Sequence, residues 1–220
     1  SFSRIKLSQF YGIELDDFAH EVAILSLWLA EHQMNVEFKA EFGECEAALP
    51  LKESGSIINK NALRCDWVDI CSNEGEVYII GNPPYLGSKM QTKEQKADLE
   101  VVFGKKASKI LDYINTKDQK AAFVTTNSIC QGEQVAQLWP HVFESSVEII
   151  FAHTSFKWTN SAKQNAAVIC AIVGLGLKNN DAKKLFTGSF SKAVKNISPY
   201  LSSGENIVVQ SAKSSLNDLP

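Results

Sequence analysis

Apolar residues are distributed along this chain in two rhythms. Short β-branched and aromatic runs have the length and composition of strands: Phe10–Leu15, Ala62–Trp67, Val77–Ile80, Ala121–Thr126, Val147–Ala152 and Ala166–Gly174. Between them lie longer stretches with helical spacing. Phe18, Val22, Leu25 and Leu29 mark one face of a helix from Phe18 to about Asn35, capped by Asp16-Asp17. Leu111 and Ile114 mark the apolar face of a Lys-rich helical stretch from Leu86 to Lys120. A further helix is expected from Gly132 to about Phe143, starting with Glu133 and perturbed at Trp139-Pro140. Residues 37–60 are acidic, carry Gly43, Pro50 and Gly55, and read as a loop or edge insertion. The pattern is that of an α/β domain with a mostly parallel sheet.

The last two strands break the alternation. Val147–Ala152 and Ala166–Gly174 have no helix between them, only a polar and aromatic link from His153 to Asn165. Adjacent strands without a crossover helix pair antiparallel. An ordinary dinucleotide fold continues with crossover helices, so this hairpin separates the two architectures. Gly174 and Gly176, the closest glycine pair, follow the last strand and open no helix, as a phosphate-binding loop would. Beyond Gly176 the chain is rich in Asn, Ser and Lys, and 177–220 reads as a connector.

With 220 residues, 45% of them hydrophobic, the chain can bury one sizeable core and is best read as one domain. No run approaches the roughly 20 apolar residues of a membrane span, and Ser1-Phe2-Ser3-Arg4 leads into no signal-like apolar region. Five cysteines (Cys45, Cys65, Cys71, Cys130 and Cys170) form no CxxC pair, and their odd number argues against a disulfide framework. Cys65 and Cys170 fall in strand-like runs and read as buried thiols. Neither zinc nor another metal is expected, and the setting reads as reducing and cytoplasmic. The net charge of −3 conceals a gradient. Residues 1–82 carry 6 basic against 14 acidic side chains, residues 83–156 balance at 8 against 8, and residues 157–220 hold 8 lysines against 3 acids. A polyanionic partner would meet the second half.

The most informative stretch is Val77 to Tyr85. An apolar run, read as a buried strand, stops at Gly81, and Asn82-Pro83-Pro84-Tyr85 follows, where open α/β sheets place their ligands. The prolines fix φ and supply no N–H. A stiff loop thus offers the Asn82 side-chain oxygen, a fixed carbonyl and an aromatic face. That set suits a planar group bearing an exocyclic NH2. The plainer alternative is a Pro-Pro turn closing a core strand with a packed tyrosine. Glu14, at a strand end, is placed to accept ribose hydroxyls, or serves the start of the next helix. In the link, Phe156-Lys157-Trp158 could supply stacking partners for an extruded base, or fold back on the sheet.

Asn82-Pro83-Pro84-Tyr85 resembles the (D/N/S)PP(Y/F/W) motif of S-adenosylmethionine-dependent methyltransferases acting on amino groups. Together with Phe10–Asp16, Ser26–Gln33, Gly81–Met90, Thr126–Gln134, Leu138-Trp139-Pro140 and Phe151–Asn160, it resembles the adenine methyltransferase domain of MmeI-like restriction–modification enzymes, over most of residues 10–175. The resemblance implies a class I, Rossmann-like methyltransferase sheet ending in an antiparallel hairpin. It implies that 1–176 is a partial catalytic domain, lacking its first strand and Gly-rich loop, with 177–220 leading toward a target-recognition domain and a nuclease domain lying upstream. It implies S-adenosylmethionine as cofactor, with Asp66 on the adenine amine and Trp67 as its apolar neighbour against the ring; Glu14, at its strand end, and Gly81 complete the candidate cofactor-binding residues. Asn82 and the Pro83 carbonyl would hold the target amine, Pro84 would stiffen the loop, and Tyr85 would stack the base against Phe156 or Trp158. Lys89, Lys157 and Lys163 would meet the phosphates of double-stranded DNA. A fragment of this kind is expected to bind the cofactor weakly or not at all by itself. Methylation of an RNA base or a protein glutamine, and a non-catalytic binding module, remain as alternatives.

Overall fold

The computed structural model describes residues 5–43, 56–83, 92–94, 109–158 and 168–210. The chain divides into two compact units, residues 1–72 and 73–220.

In the first unit, β1 (Tyr11–Glu14) pairs in parallel with β2 (Ser56–Asn59), Tyr11 opposite Ser56 and Glu14 opposite Asn59. Helix α1 (Asp17–Phe42) starts at Asp16, whose carboxylate accepts the Ala19 N–H at 2.8 Å. It runs well past Asn35. Residues 37–42, read as the start of a loop, belong instead to this helix and are mostly good helix formers, with Phe38 and Phe42 in contact one turn apart. It ends at Gly43, whose φ of +84° closes the last turn through its N–H to the Lys39 carbonyl. Phe18, Val22, Leu25 and Leu29 share one face, as expected, but are exposed.

The second strand of this unit is not the expected Ala62–Trp67. It is Ser56–Asn59, whose β-branched Ile57-Ile58 pair is masked by flanking polar residues. At Asn61 the chain turns instead of extending. Its carbonyl accepts the N–H groups of Arg64 (2.9 Å) and Cys65 (3.2 Å), and its side chain accepts that of Leu63 (2.9 Å). Asn competes with the strand ladder in this way. Cys65 therefore lies half-buried in a turn.

The second unit is a six-stranded sheet in the order β3-β4-β6-β5-β7-β8. Its strands are β3 (Val77–Gly81), β4 (Gln119–Thr126), β5 (Val147–Lys157), β6 (Ile169–Leu177), β7 (Lys183–Thr187) and β8 (Phe190–Val194). β3 and β4 are parallel, as are β5 and β7, whereas β6 is antiparallel to both β4 and β5. Consequently β3, β4, β5 and β7 all point one way. The β5–β6 hairpin is present as expected, and β6 fits between β4 and β5. Helix α3 (Glu133–Glu144) covers one face, burying Val135, Trp139 and Val142 among Ala121, Val147, Ile149, Ala152, Ala171 and Val173. Pro140 does not end this helix. The Trp139 indole donates to the Ile129 carbonyl at 2.7 Å.

Three expectations are corrected here. β3 is not buried on both faces: Val77 and Ile79 point inward, while Tyr78 and Ile80 are 60% and 83% exposed. The helix expected over Leu86–Lys120 falls largely outside the described residues. Its described end, α2 (Lys109–Tyr113), gives way to a turn, and Lys120 lies in β4. Buried Gln119 makes that turn by accepting the N–H groups of Asn115 and Thr116 and donating to the Asn73 carbonyl. Finally, part of 177–220 is not loose. β7 and β8 extend the sheet, and Val194, Ile197 and Leu201 join the core.

Candidate functional site at the sheet edge

Because β3, β4, β5 and β7 share a direction, their carboxyl ends meet along one edge, where open α/β sheets bind ligands. Asn82 and Pro83 leave β3 there, both exposed. β4 passes into a 3-10 turn, Asn127–Cys130. β5 ends at Lys157, followed by Trp158, and β7 ends at Thr187. The edge thus assembles Asn82 with Phe156, Lys157 and Trp158. Pro84, Tyr85, Lys89 and Lys163 lie outside the described residues.

Gly81 is fixed by packing. It sits opposite Phe123, and a Cβ there would lie 3.0 Å from the Phe123 ring. Phe156 is half-buried, its ring edge-on to His153 with centroids 5.3 Å apart. Lys157 is exposed opposite Ile169, and the Trp158 N–H donates to the Val168 carbonyl at 2.8 Å. Four residues at this edge were not singled out from sequence: Asn127, Ser128, His153 and Ser155. The Asn127 amide donates to the Ser155 hydroxyl at 3.4 Å, and Ser128 shares a 2.6 Å hydroxyl contact with Thr126. The signal for Asn127 and Ser128 was the polar cluster directly following the apolar run Ala121–Thr126, and that for His153 and Ser155 the polar residues directly following Val147–Ala152.

In the first unit, Glu14 Oε1 accepts the N–H groups of Leu15 (2.8 Å) and Asp16 (3.0 Å). The carboxylate is thereby held at the β1 end. Asp66 does not follow a strand, and its Oδ1 accepts the Val68 N–H at 3.1 Å in a second turn. It lines an open cleft of about 670 Å³ with Ser56, Ile58, Lys60, Arg64, Cys65, Asp69 and Ile70. Trp67 is not in that lining. Its indole N–H donates to the Ala62 carbonyl at 2.9 Å.

Residues 1–187 match the family described as MmeI, DNA-methyltransferase domain. The chain belongs to this family. It is 52% identical to DNA methyltransferase A of Bacillus subtilis (strain 168), over 98% of this chain and 26% of that protein. Its structure is similar to that of MmeI, a type IIL restriction-modification enzyme solved in complex with DNA. The TM-score is 0.91 at 40% identity, over 99% of this chain and 32% of that one. The chain thus spans about a quarter of its curated relative and a third of MmeI.

Among the described residues of this member of the MmeI methyltransferase-domain family, two groups have shifted proton affinities. Burial pushes the Cys130 thiol, next to the sheet edge, up to about 12, so it is a protonated packing group at neutral pH and no nucleophile. Tyr78 is raised by its hydrogen bond to the Glu76 carboxylate and stays neutral. Among the described residues, no cluster of three His, Cys, Asp or Glu side chains is arranged to hold a metal, and no helix is long and apolar enough to cross a membrane.

Proposed function

We propose that this chain is the catalytic part of a restriction–modification DNA methyltransferase that methylates the exocyclic N6 amine of an adenine extruded from double-stranded DNA. The observation that carries the reading is the family membership combined with an exposed Asn82-Pro83 corner at the edge where Phe156–Trp158 also emerge. The reversed β6 between two strands of like direction supports a class I, Rossmann-like methyltransferase sheet.

The donor set fits S-adenosylmethionine. Glu14, a carboxylate already fixed by two backbone N–H groups, would accept ribose hydroxyls, and Asp66 would accept the adenine amine in a cleft with apolar Ile58 and Ile70. When bound, S-adenosylmethionine supplies an electrophilic methyl group. Asn82 Oδ1 and the Pro83 carbonyl accept the two amine hydrogens, hold the nitrogen in line and increase its electron density. Pro83 and Pro84 keep these acceptors from relaxing away. Tyr85 stacks one face of the base, and Phe156 or Trp158 the other, each stack being worth about 1–3 kcal/mol. The nitrogen sheds its proton once alkylated, so the edge needs no dedicated base. Lys89, Lys157 and Lys163 would contact phosphates. Residues 1–176 would form the catalytic part and 177–220 would lead toward a target-recognition domain, with a nuclease domain elsewhere in a cytoplasmic polypeptide.

The test is to incubate the complete polypeptide with methyl-labelled S-adenosylmethionine and duplex DNA, then digest the DNA to nucleosides. Label in N6-methyl-2′-deoxyadenosine, lost in Asn82→Ala, is expected. Label in cytosine, in RNA or on a protein glutamine instead would replace this reading.

A further inference from the structure

We propose that His153 is a positioning residue that, with Phe186, props the stacking ring of Phe156 at the sheet edge; this rests on the base-stacking role just given to that edge. The first observation is a change of register. Across β5–β6, His153 lies opposite Ile172 and Phe156 opposite Cys170, so three steps along β5 match two along β6. In a regular strand, residues three apart point to opposite faces. The extra residue of the bulge brings His153 and Phe156 to the same face, an established way for a strand to re-aim a side chain. Their rings meet edge to face, with centroids 5.3 Å apart and planes at 82°.

The other side of His153 is equally occupied. It pairs with Phe186 across β5–β7, and the two rings lie within 5° of parallel at 6.4 Å. His153 Nδ1 lies 2.8 Å from the Thr154 carbonyl oxygen, so that nitrogen carries the proton and donates, which fixes the ring's rotation. The Thr154 hydroxyl donates to the Phe186 carbonyl at 3.1 Å, tying β5 to β7 where the ladder ends. Phe156 therefore has one preferred orientation before any base arrives. A ring ordered in advance gives up less freedom when a base stacks on it.

A merely structural histidine would, on removal, weaken every DNA complex alike. A positioning histidine would weaken only complexes with a base to stack. In the complete polypeptide, affinity and single-turnover methylation are measured for a duplex with its target adenine, and affinity for the same duplex with an abasic site there. His153→Ala should lose about 10-fold on the adenine duplex, of the order of one impaired stack, and nothing on the abasic duplex. His153→Phe, which keeps a ring at this position, should restore most of that loss. Equal losses on both duplexes, no loss on either, or no rescue by His153→Phe would overturn the proposal. Should His153→Ala not fold, His153→Leu carries the same comparison. The wild-type polypeptide is the control for the underlying reading: if it transfers no methyl group to DNA, that reading falls and this one with it.

Discussion

The Lys183 ammonium lies 2.6 Å from a Glu148 carboxylate oxygen, with the two side chains 2% and 12% exposed. Glu148 is on β5 and Lys183 opens β7, and Asn179 completes the group. Its carbonyl and side-chain oxygens accept from Lys183 at 2.9 and 2.8 Å, and its N–H donates to Glu148 at 2.8 Å. Removing one partner strands a charge in the interior, which costs about 3–5 kcal/mol. Lys183→Met and Glu148→Gln should each shift urea unfolding by that order. The double variant Lys183→Met/Glu148→Gln should cost less than the sum of the single changes. Strict additivity would show that the pair is not coupled.

Asn82 is exposed, so its removal should leave the fold intact while disabling transfer. Asn82→Ala is expected to change stability by less than about 0.5 kcal/mol. It should lower single-turnover methylation by the 10²–10³-fold scale of losing one preorganised polar contact, roughly 100-fold or more. Thermal unfolding and a labelled-methyl assay on the complete polypeptide check the two halves separately.

Gly174 makes room for Phe151, whose ring would lie 2.1 Å from a Cβ placed there. Gly174→Ala should therefore destabilise the protein by about 1–3 kcal/mol through overpacking. Adding Phe151→Leu should recover part of that loss, measured as a rise in melting temperature over Gly174→Ala alone.

Cys130 gives a prediction at alkaline pH. Its folded-state value stands at about 12, above the ordinary 9.0, so the folded protein holds the thiol proton more tightly than the unfolded chain does. That contribution is fully present below pH 9.0 and is lost as pH rises toward 12. Cys130→Ala should remove this part of the alkaline decline, seen in denaturation midpoints across that window. At pH 8, iodoacetamide should label Cys130 only after denaturant is added.

The features legible from sequence were those whose cause is local. The runs 121–126 and 147–152 were visible because β-branched and aromatic residues need no distant partner to favour extension. The end of β3 at Gly81 was visible because the prolines that follow lack the N–H a strand ladder needs. Strand β7 was hidden because a lysine reads as exposed, and Lys183 is buried because Glu148, 35 positions earlier, and Asn179 receive its ammonium. Strand β2 was displaced because Asn61 diverts the chain through its own side chain, which outweighs the strand-like look of Ala62–Trp67. The His153–Phe156 bulge is a mismatch between two strands, and neither strand's pattern records it alone.

The position of β6 also bears on synthesis. It emerges after β5 yet lies between β4 and β5, so the two earlier strands stay about 10 Å apart, two strand spacings, with the slot between them empty until residue 177 is available. A nascent chain halted before residue 169 lacks the strand that pairs with the facing ladders of β4 and β5 in the folded protein. Such truncations should precipitate, not yield a smaller soluble core, because unmatched strand edges recruit one another.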